Sequence, residues 1–315
     1  MEVLITGAAG NLGSHLAKYL MKDTNGLVLK LMIHNKLLPY EIKNKAEVCK
    51  ADLMDKGSLL NACKGIDCIV HFAGLLFAPN PEKFLPTTNV VYFQNLVNAA
   101  LESGVKKIIL ISFPHVEGNT SPEHPASGRL DGNPVSVHAQ TRLKEEQYMF
   151  EKCKGTQCTP VSLRAGMIYG KDILMIDAMR YLMKKHLLGI WKKPNWIHLI
   201  TIDDFLELTK QAIIEPEVKG IYHLGDDKPM YLVEYLDRMA EHLGYSKPWR
   251  MPVWMIFTAA WFVEFYAKIF GTRSPLTRDF IRIGMVSYTG ETKRMNEDLL
   301  PVLKYPTLDE GIEIL

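Results

Sequence analysis

Apolar residues fall along this chain in short dense runs, separated by stretches with helical spacing. Residues 3–5, 27–34, 46–51, 66–72, 107–112, 159–164 and 220–224 predict strands, with 66–72 buried. Residues 11–21, 88–103, 136–153, 174–187 and 232–243 predict helices. Residues 77–87, with Pro79, Pro81 and Pro86, predict a loop. Strands alternating with helices in this way predict a doubly wound parallel α/β sheet of the Rossmann kind. Residues 1–170 are assigned to the nucleotide-binding domain, with 198–225 returning to it. Residues 171–197 and 226–315 are assigned to a smaller, interleaved C-terminal substrate region.

The first strand runs into Gly7, Gly10 and Gly13, spaced G-x-x-G-x-x-G, and then into the first helix. Glycines at this spacing serve three ends. They permit a tight turn, close approach of backbone to a pyrophosphate, and close packing of helix on strand. Asn11 and Leu12 open the helix, where free N–H groups and the dipole favour phosphate. A dinucleotide cofactor is therefore expected. The second strand ends in His34, Asn35 and Lys36 with no acid, which favours the 2′-phosphate of NADP over the free ribose of NAD. Asp52 and Leu53 are placed at the adenine, and Phe72, Ala73 and Gly74 along the cofactor.

Composition adds exclusions. The chain is 47% hydrophobic and 23% charged, as a folded globular protein is, and its net charge of +2 excludes a nucleic-acid footprint. The cysteines Cys49, Cys63, Cys68, Cys153 and Cys158 are odd in number and form no C-x-x-C, so neither a disulfide framework nor a metal site is expected. Free thiols, and a chain that opens directly on a strand with no leader, give the expectation of a cytoplasmic protein.

Together, Thr6-Gly7-x-x-Gly10-x-x-Gly13, Asp52-Leu53, His71-Phe72-Ala73-Gly74, Thr88-Asn89-Val90, Asn95-Leu96, Leu163-Arg164-x-x-x-Ile168-Tyr169-Gly170 and the passage from His198 to Asp204 resemble the extended short-chain dehydrogenase/reductases. That class contains sugar-nucleotide epimerases and 3β-hydroxysteroid dehydrogenases. The tail, residues 271–311, resembles the 3β-hydroxysteroid dehydrogenase-like branch. The resemblance implies a homodimer built partly on helix 88–103. It also implies a catalytic Ser or Thr, a Tyr, and a Lys four residues after the Tyr.

This chain departs from that pattern at all three positions. Phe113 falls where the Ser or Thr belongs, with Ser112 one place early. His138 stands for the Tyr and Arg142 for the Lys, in a register fixed by Thr141 and Glu146. Two bare Tyr-x-x-x-Lys pairs, Tyr148 with Lys152 and Tyr181 with Lys185, are out of context and read as helix-surface pairs. His138 is expected to move the proton, since histidine titrates near neutrality. His115 or Glu117 would assist, and Arg142 would hold the nicotinamide ribose or the substrate. Ser112, Ala165, Met167 and Ile168 are expected beside the cofactor. The long loop 118–134 offers Arg129 and Asp131 as substrate contacts.

Residues 251–270, MPVWMIFTAAWFVEFYAKIF, contain sixteen apolar residues and only two charges, Glu264 and Lys268. A pocket lid or oligomer face, a peripheral membrane helix and a true span remain open. Arg250, Lys268, Arg273, Arg278 and Arg282 would suit an anionic lipid surface. With no phosphate-binding groups evident, an apolar small-molecule substrate is expected. The chain is thus read as an NADP-preferring oxidoreductase (NAD as second choice) acting on a hydroxyl or carbonyl. The alternatives are an epimerase or dehydratase, and a cofactor-binding sensor or assembly protein without turnover.

Overall fold

The computed structural model describes residues 1–22, 26–43, 45–74, 81–272 and 277–315. Seven strands form the main sheet: β1 (Glu2–Thr6), β2 (Val28–Ile33), β3 (Glu47–Lys50), β4 (Cys68–His71), β5 (Lys107–Ser112), β6 (Thr159–Ala165) and β7 (Gly220–Leu224). Their order is β7-β6-β5-β4-β1-β2-β3 and every neighbouring pair is parallel. The chain winds outward from β1 to β3, then returns to place β4 on the other side of β1. The crevice for a ligand therefore opens beyond the carboxyl ends of β1 and β4.

Strand alternation decides which residues enter which of two cores. Val3 and Ile5 of β1 face one and Leu4 the other; Ile109 and Ile111 of β5 face one, Ile108 and Leu110 the other. The first core lies under helices Asn11–Lys22 and Ile202–Ile214, the second under Lys56–Cys63, Tyr92–Glu102 and Val137–Cys153. Both faces of the sheet's centre are covered, which is why β1, β4 and β5 read as nearly continuous apolar runs, while the edge strand β3 is largely exposed.

One boundary differs from the sequence reading. The loop expected through residue 87 is helical from Pro81: an α turn at Pro81–Leu85, a wide π-type turn at Pro86–Val91, then α-helix Tyr92–Glu102. Pro81 opens the helix, where a missing N–H costs nothing, and Pro86 is accommodated by the wider turn. Pro79 lies outside the described residues.

The C-terminal region is assembled from short pairs. Met167–Tyr169 pairs with Leu199–Thr201, Trp196–Ile197 with Met230–Tyr231, and Gly189–Trp191 with Trp249–Met251. Helices Leu174–Lys184, Leu232–His242, Val253–Phe270 and Arg278–Met285 pack around them.

A fully buried arginine ties the two halves of the sheet's outer end together. Arg164 of β6 donates through Nε to both carboxylate oxygens of Glu146 (3.1 and 3.2 Å) and through Nη2 to Glu146 Oε2 at 2.5 Å. It also donates through Nη1 to Glu117 and through Nη2 to the Arg129 carbonyl at 2.8 Å. Ser162 Oγ donates to Glu146 Oε1 at 2.9 Å. Glu117 in turn accepts the N–H groups of Ser127 (3.1 Å), Gly128 (2.7 Å) and Arg129 (3.0 Å), so it organises the long loop 118–134. His223 Nε2 of β7 stands 3.4 Å from its Oε1. Gly128 lies against the edge strand, where an added Cβ would be 3.6 Å from Ile221.

Burial alone would raise the Glu117 carboxyl. The contact with His223, the backbone N–H groups and Arg164 outweigh it and hold the group at about 2, below its ordinary 4.5. A depressed carboxyl contributes stability above its unfolded value, and that stability is lost as pH falls from about 4.5 through about 2. Glu117→Gln should therefore cost about 3–5 kcal/mol at neutral pH, because it leaves Arg164 without its full set of partners. It should also flatten the acid limb of urea-unfolding stability against pH. A variant as stable as the wild type would show that the network is not what holds this end of the fold.

Candidate active site

The glycine turn after β1 is shaped by close backbone contacts. Gly7 has φ of +69°, and a Cβ there would stand 2.8 Å from the Ala73 nitrogen at the end of β4. A Cβ on Gly13 would stand 2.4 Å from the Gly7 carbonyl, so only glycine lets the helix sit on the turn. Gly10 N–H closes the turn on Gly7 O at 2.7 Å. The helix Asn11–Lys22 starts directly from this turn, and a helix N-terminus offers free N–H groups that suit a pyrophosphate. Leu12 packs into the first core. Asn11 has another occupation: its Nδ2 donates to the Asp172 carbonyl at 2.8 Å and its Oδ1 accepts Leu174 N–H at 3.1 Å. It pins the start of helix Leu174–Lys184 across the mouth of the turn.

At the far end of the crevice, His34, Asn35 and Lys36 are exposed beyond β2. His34 Nε2 lies 3.5 Å from Asp52 Oδ2, and Asp52 Oδ1 accepts Met54 N–H at 2.9 Å. An acid thus stands beside the residues expected to read a 2′-phosphate. The Leu53 carbonyl accepts from Asn95 Nδ2 at 2.9 Å, which fixes this corner to helix Tyr92–Glu102.

At the other end, Phe72 and Ala73 are half-buried and Gly74 is exposed. A Cβ on Gly74 would be 3.3 Å from Arg142 Nη2 and 3.6 Å from Asn89 Oδ1. Arg142 is held by Glu145, to which Nη1 donates at 2.5 Å, while its Nε is buried without a partner. Burial pushes the Glu145 carboxyl up to about 7, with Arg142 opposing the rise and Glu146 adding to it. Ser112 Oγ, at the carboxyl end of β5, is also buried without a partner. Ala165, Met167 and Ile168 follow β6, where Gly166 N–H donates to Leu224 O and Met167 N–H to His198 O.

The expected proton-moving histidine is not placed to do that work. His138 sits in the first turn of helix Val137–Cys153, capped by Ser136 and by Asp279, which accepts Val137 and His138 N–H at 3.0 and 3.3 Å. Its ring stacks flat on Phe113, with centroids 5.1 Å apart and planes within 3°. Burial first, then Arg142 and His115, push its imidazole down to about 3. Burial does the same to His115, which packs on Tyr288 at 4.0 Å. Both rings are neutral through the physiological range, so the premise of a histidine titrating near neutrality fails. Glu117 is committed to the Arg164 network, away from the crevice. Arg129 and Asp131 are exposed partners of that network's rim, at 3.6 Å from one another.

The sequence reading missed a second polar group. Arg180 of helix Leu174–Lys184 gives Nη1 to Asp177 at 3.3 Å, but its Nε and Nη2 are buried without partners. The hydroxyls of Tyr169 and Tyr235 are likewise buried and unpaired. Burial raises the Tyr235 phenol, Tyr169 and Tyr288 add to the rise, and Arg180 opposes it, so these groups share one region. Nothing in the spacing marks Arg180, which lies on a Met- and Leu-rich helix that reads as core. Tyr181, its neighbour, is an exposed surface residue, and Tyr148 bonds Asn98 Oδ1 at 2.8 Å on the outside of the fold.

The neutrality of the two histidines is directly testable by NMR. Their imidazole signals, assigned with His138→Gln and His115→Gln, should not titrate between roughly pH 5 and 8. A midpoint near the ordinary histidine value for His138 would contradict the burial argument.

Comparison with known proteins places these features. The family model of the NAD dependent epimerase/dehydratase family matches residues 3–223. A uronate dehydrogenase of Pseudomonas putida is 27% identical over 253 residues, covering 78% of this chain and 82% of that one. Among solved structures, the UDP-glucuronic acid 4-epimerase of Bacillus cereus, in complex with UDP-glucuronic acid and NAD, superposes with TM-score 0.76 at 19% identity, covering 100% of this chain and 97% of that one. DesIV, a dTDP-glucose 4,6-dehydratase of Streptomyces venezuelae with NAD bound, superposes with TM-score 0.77 at 16% identity, covering 100% and 95%. These findings correct two expectations. The assignment to a 3β-hydroxysteroid dehydrogenase-like branch of the extended short-chain dehydrogenase/reductases rested on the tail, which lies beyond the matched residues. The oxidoreductase of small apolar substrates with a catalytic His138 is overturned with it. An NAD(P)-class cofactor goes with the family; the preference for NADP finds no support, since both of these solved structures hold NAD. The chain belongs to the NAD dependent epimerase/dehydratase family.

Proposed function

We propose that this chain binds NAD and a sugar nucleotide, and works in epimerase- or dehydratase-type chemistry on the sugar. The observation that carries the sugar-nucleotide reading is Arg180: a guanidinium edge buried without a partner, close to the unpaired Tyr235 hydroxyl. Buried guanidinium nitrogens without acceptors are costly even though Nη1 meets Asp177, and an anionic ligand group would supply the missing acceptors. A diphosphate or a sugar carboxylate supplies that group, and an apolar substrate does not. The two solved structures, named as a UDP-glucuronic acid 4-epimerase and a dTDP-glucose 4,6-dehydratase, support the same class, whereas the sequence relative is a uronate dehydrogenase.

NAD is preferred to NADP here because Asp52 stands 3.5 Å from His34, so a 2′-phosphate would meet an acid. When bound, NAD would take a hydride from a sugar carbon or return one. The chain's own part is to hold and orient. The glycine turn would receive the pyrophosphate, and Arg142, braced by Glu145, with Nη2 beside Gly74, would hold the ribose. The Ser112 hydroxyl is free to bond an oxygen of cofactor or sugar. One observation favours a second reading, binding without turnover: the flat Phe113–His138 stack fills the acid–base position with neutral rings.

Calorimetric titration with NADH and NADPH, followed by UDP-glucose and UDP-glucuronic acid on the NADH-bound chain, tests this. NADH should bind more tightly than NADPH. Arg180→Ala should weaken sugar-nucleotide binding roughly 10- to 100-fold, the loss of a charged hydrogen bond of about 1.5–3 kcal/mol, and leave NADH binding unchanged. No sugar-nucleotide binding by the wild type, or equal binding by the variant, would sink the reading. Absorbance of the nicotinamide during a single turnover with NAD separates chemistry from binding alone.

A further inference from the structure

We infer that helix Val253–Phe270 docks the protein on an anionic membrane surface, lying along the surface without crossing it. The helix meets the body of the protein through a narrow stripe, Ile256, Ala260, Glu264 and Ala267, spaced by four, four and three residues. Most of the rest of its surface faces outward. Trp254, Trp261, Phe262, Phe265, Tyr266, Ile269 and Phe270 are all exposed, Trp254 to 67% and Phe270 to 62%. Exposed aromatics in such a row are unusual on a soluble monomer and mark an interaction surface. Trp and Tyr in particular suit the headgroup boundary, where an amphipathic ring can be half-wet.

Charge is sorted to match. The helix has one acid, Glu264, and it is turned inward, where Oε1 accepts Arg278 N–H at 2.6 Å and Oε2 accepts Arg278 Nε at 2.7 Å. Its one base, Lys268, is outward. The strand that leads into the helix, Trp249–Met251, is paired with Gly189–Trp191. That partner segment is flanked by exposed Lys184, Lys185, His186, Lys192 and Lys193 with no acid among residues 184–193. Exposed Leu187 and Trp249 extend the apolar surface along this pair.

Both ends of the helix are tied to the same body, which excludes a span. Pro252 joins its start directly to the paired strand. Beyond its end, Arg278 returns to Glu264, and Asp279 caps the helix that carries His138. Crossing a bilayer would break all of these contacts. An 18-residue helix lying flat presents about 27 Å of aromatic edge to the surface. A second copy of this chain is the poorer occupant, because pairing the face with itself would bring two lysine-rich segments together with no acid to meet them.

The proposal is tested by co-flotation of the full chain with vesicles of phosphatidylcholine alone, or of phosphatidylcholine with phosphatidylserine. The wild type should float with the anionic vesicles, less so in high salt, and weakly with neutral ones. Trp261→Ser with Phe265→Ser should abolish flotation. Lys192→Glu with Lys193→Glu should weaken binding to anionic vesicles by at least about fivefold per lysine, leaving neutral-vesicle binding unchanged. NADH affinity and melting temperature establish that each variant is folded. Absence of wild-type flotation with anionic vesicles would overturn the proposal. So would a soluble dimer that the aromatic variant converts to monomer while flotation stays the same.

Discussion

Arg164 is the constraint on which this end of the molecule depends. A guanidinium with no solvent exposure must have its hydrogen-bonding capacity met from within, and here it is met by two carboxylates and a backbone carbonyl. Those partners come from the helix after the long loop, from the end of β5, and from the loop itself. One buried charge therefore ties together β6, the segment that follows β5, and helix Val137–Cys153. The same demand explains why a loop of this length is ordered: Glu117 holds three consecutive N–H groups of it.

The opposite end of the crevice is built with backbone. Gly7 and Gly13 bring a turn, a helix and the end of β4 within distances that no side chain would permit. Between these two ends, aromatic rings pack closely around the two histidines. Phe113 and His138 lie flat together, and His115 rests on Tyr288. Burial keeps both imidazoles neutral. Among the described residues, the buried polar atoms without partners include Ser112 Oγ, Arg142 Nε and two nitrogens of Arg180, and such atoms are suited to holding ligands.

The short apolar runs, their alternation with helical stretches, and the glycine spacing already determined a doubly wound parallel sheet and pointed to an NAD(P)-class cofactor. These are local and periodic properties, and periodicity survives without knowledge of contacts. The placing of Phe113, His138 and Arg142 against the Ser, Tyr and Lys that the resemblance implies was an expectation made by counting along the chain. What those residues do was decided only in three dimensions. A histidine's charge depends on burial and on neighbours far away in the chain, so His138 looked like a proton carrier until its surroundings were known. Glu117 and Arg129 read as site residues because they follow a strand, yet the side chains they meet, Arg164 and one another, are joined only by the fold. Arg180 gave no sign at all, since buried nitrogens without acceptors are defined by the tertiary partners they lack. The apolar run at residues 251–270 was visible as composition, but which residues of it turn outward, and that Glu264 turns inward to Arg278, was settled by tertiary packing alone.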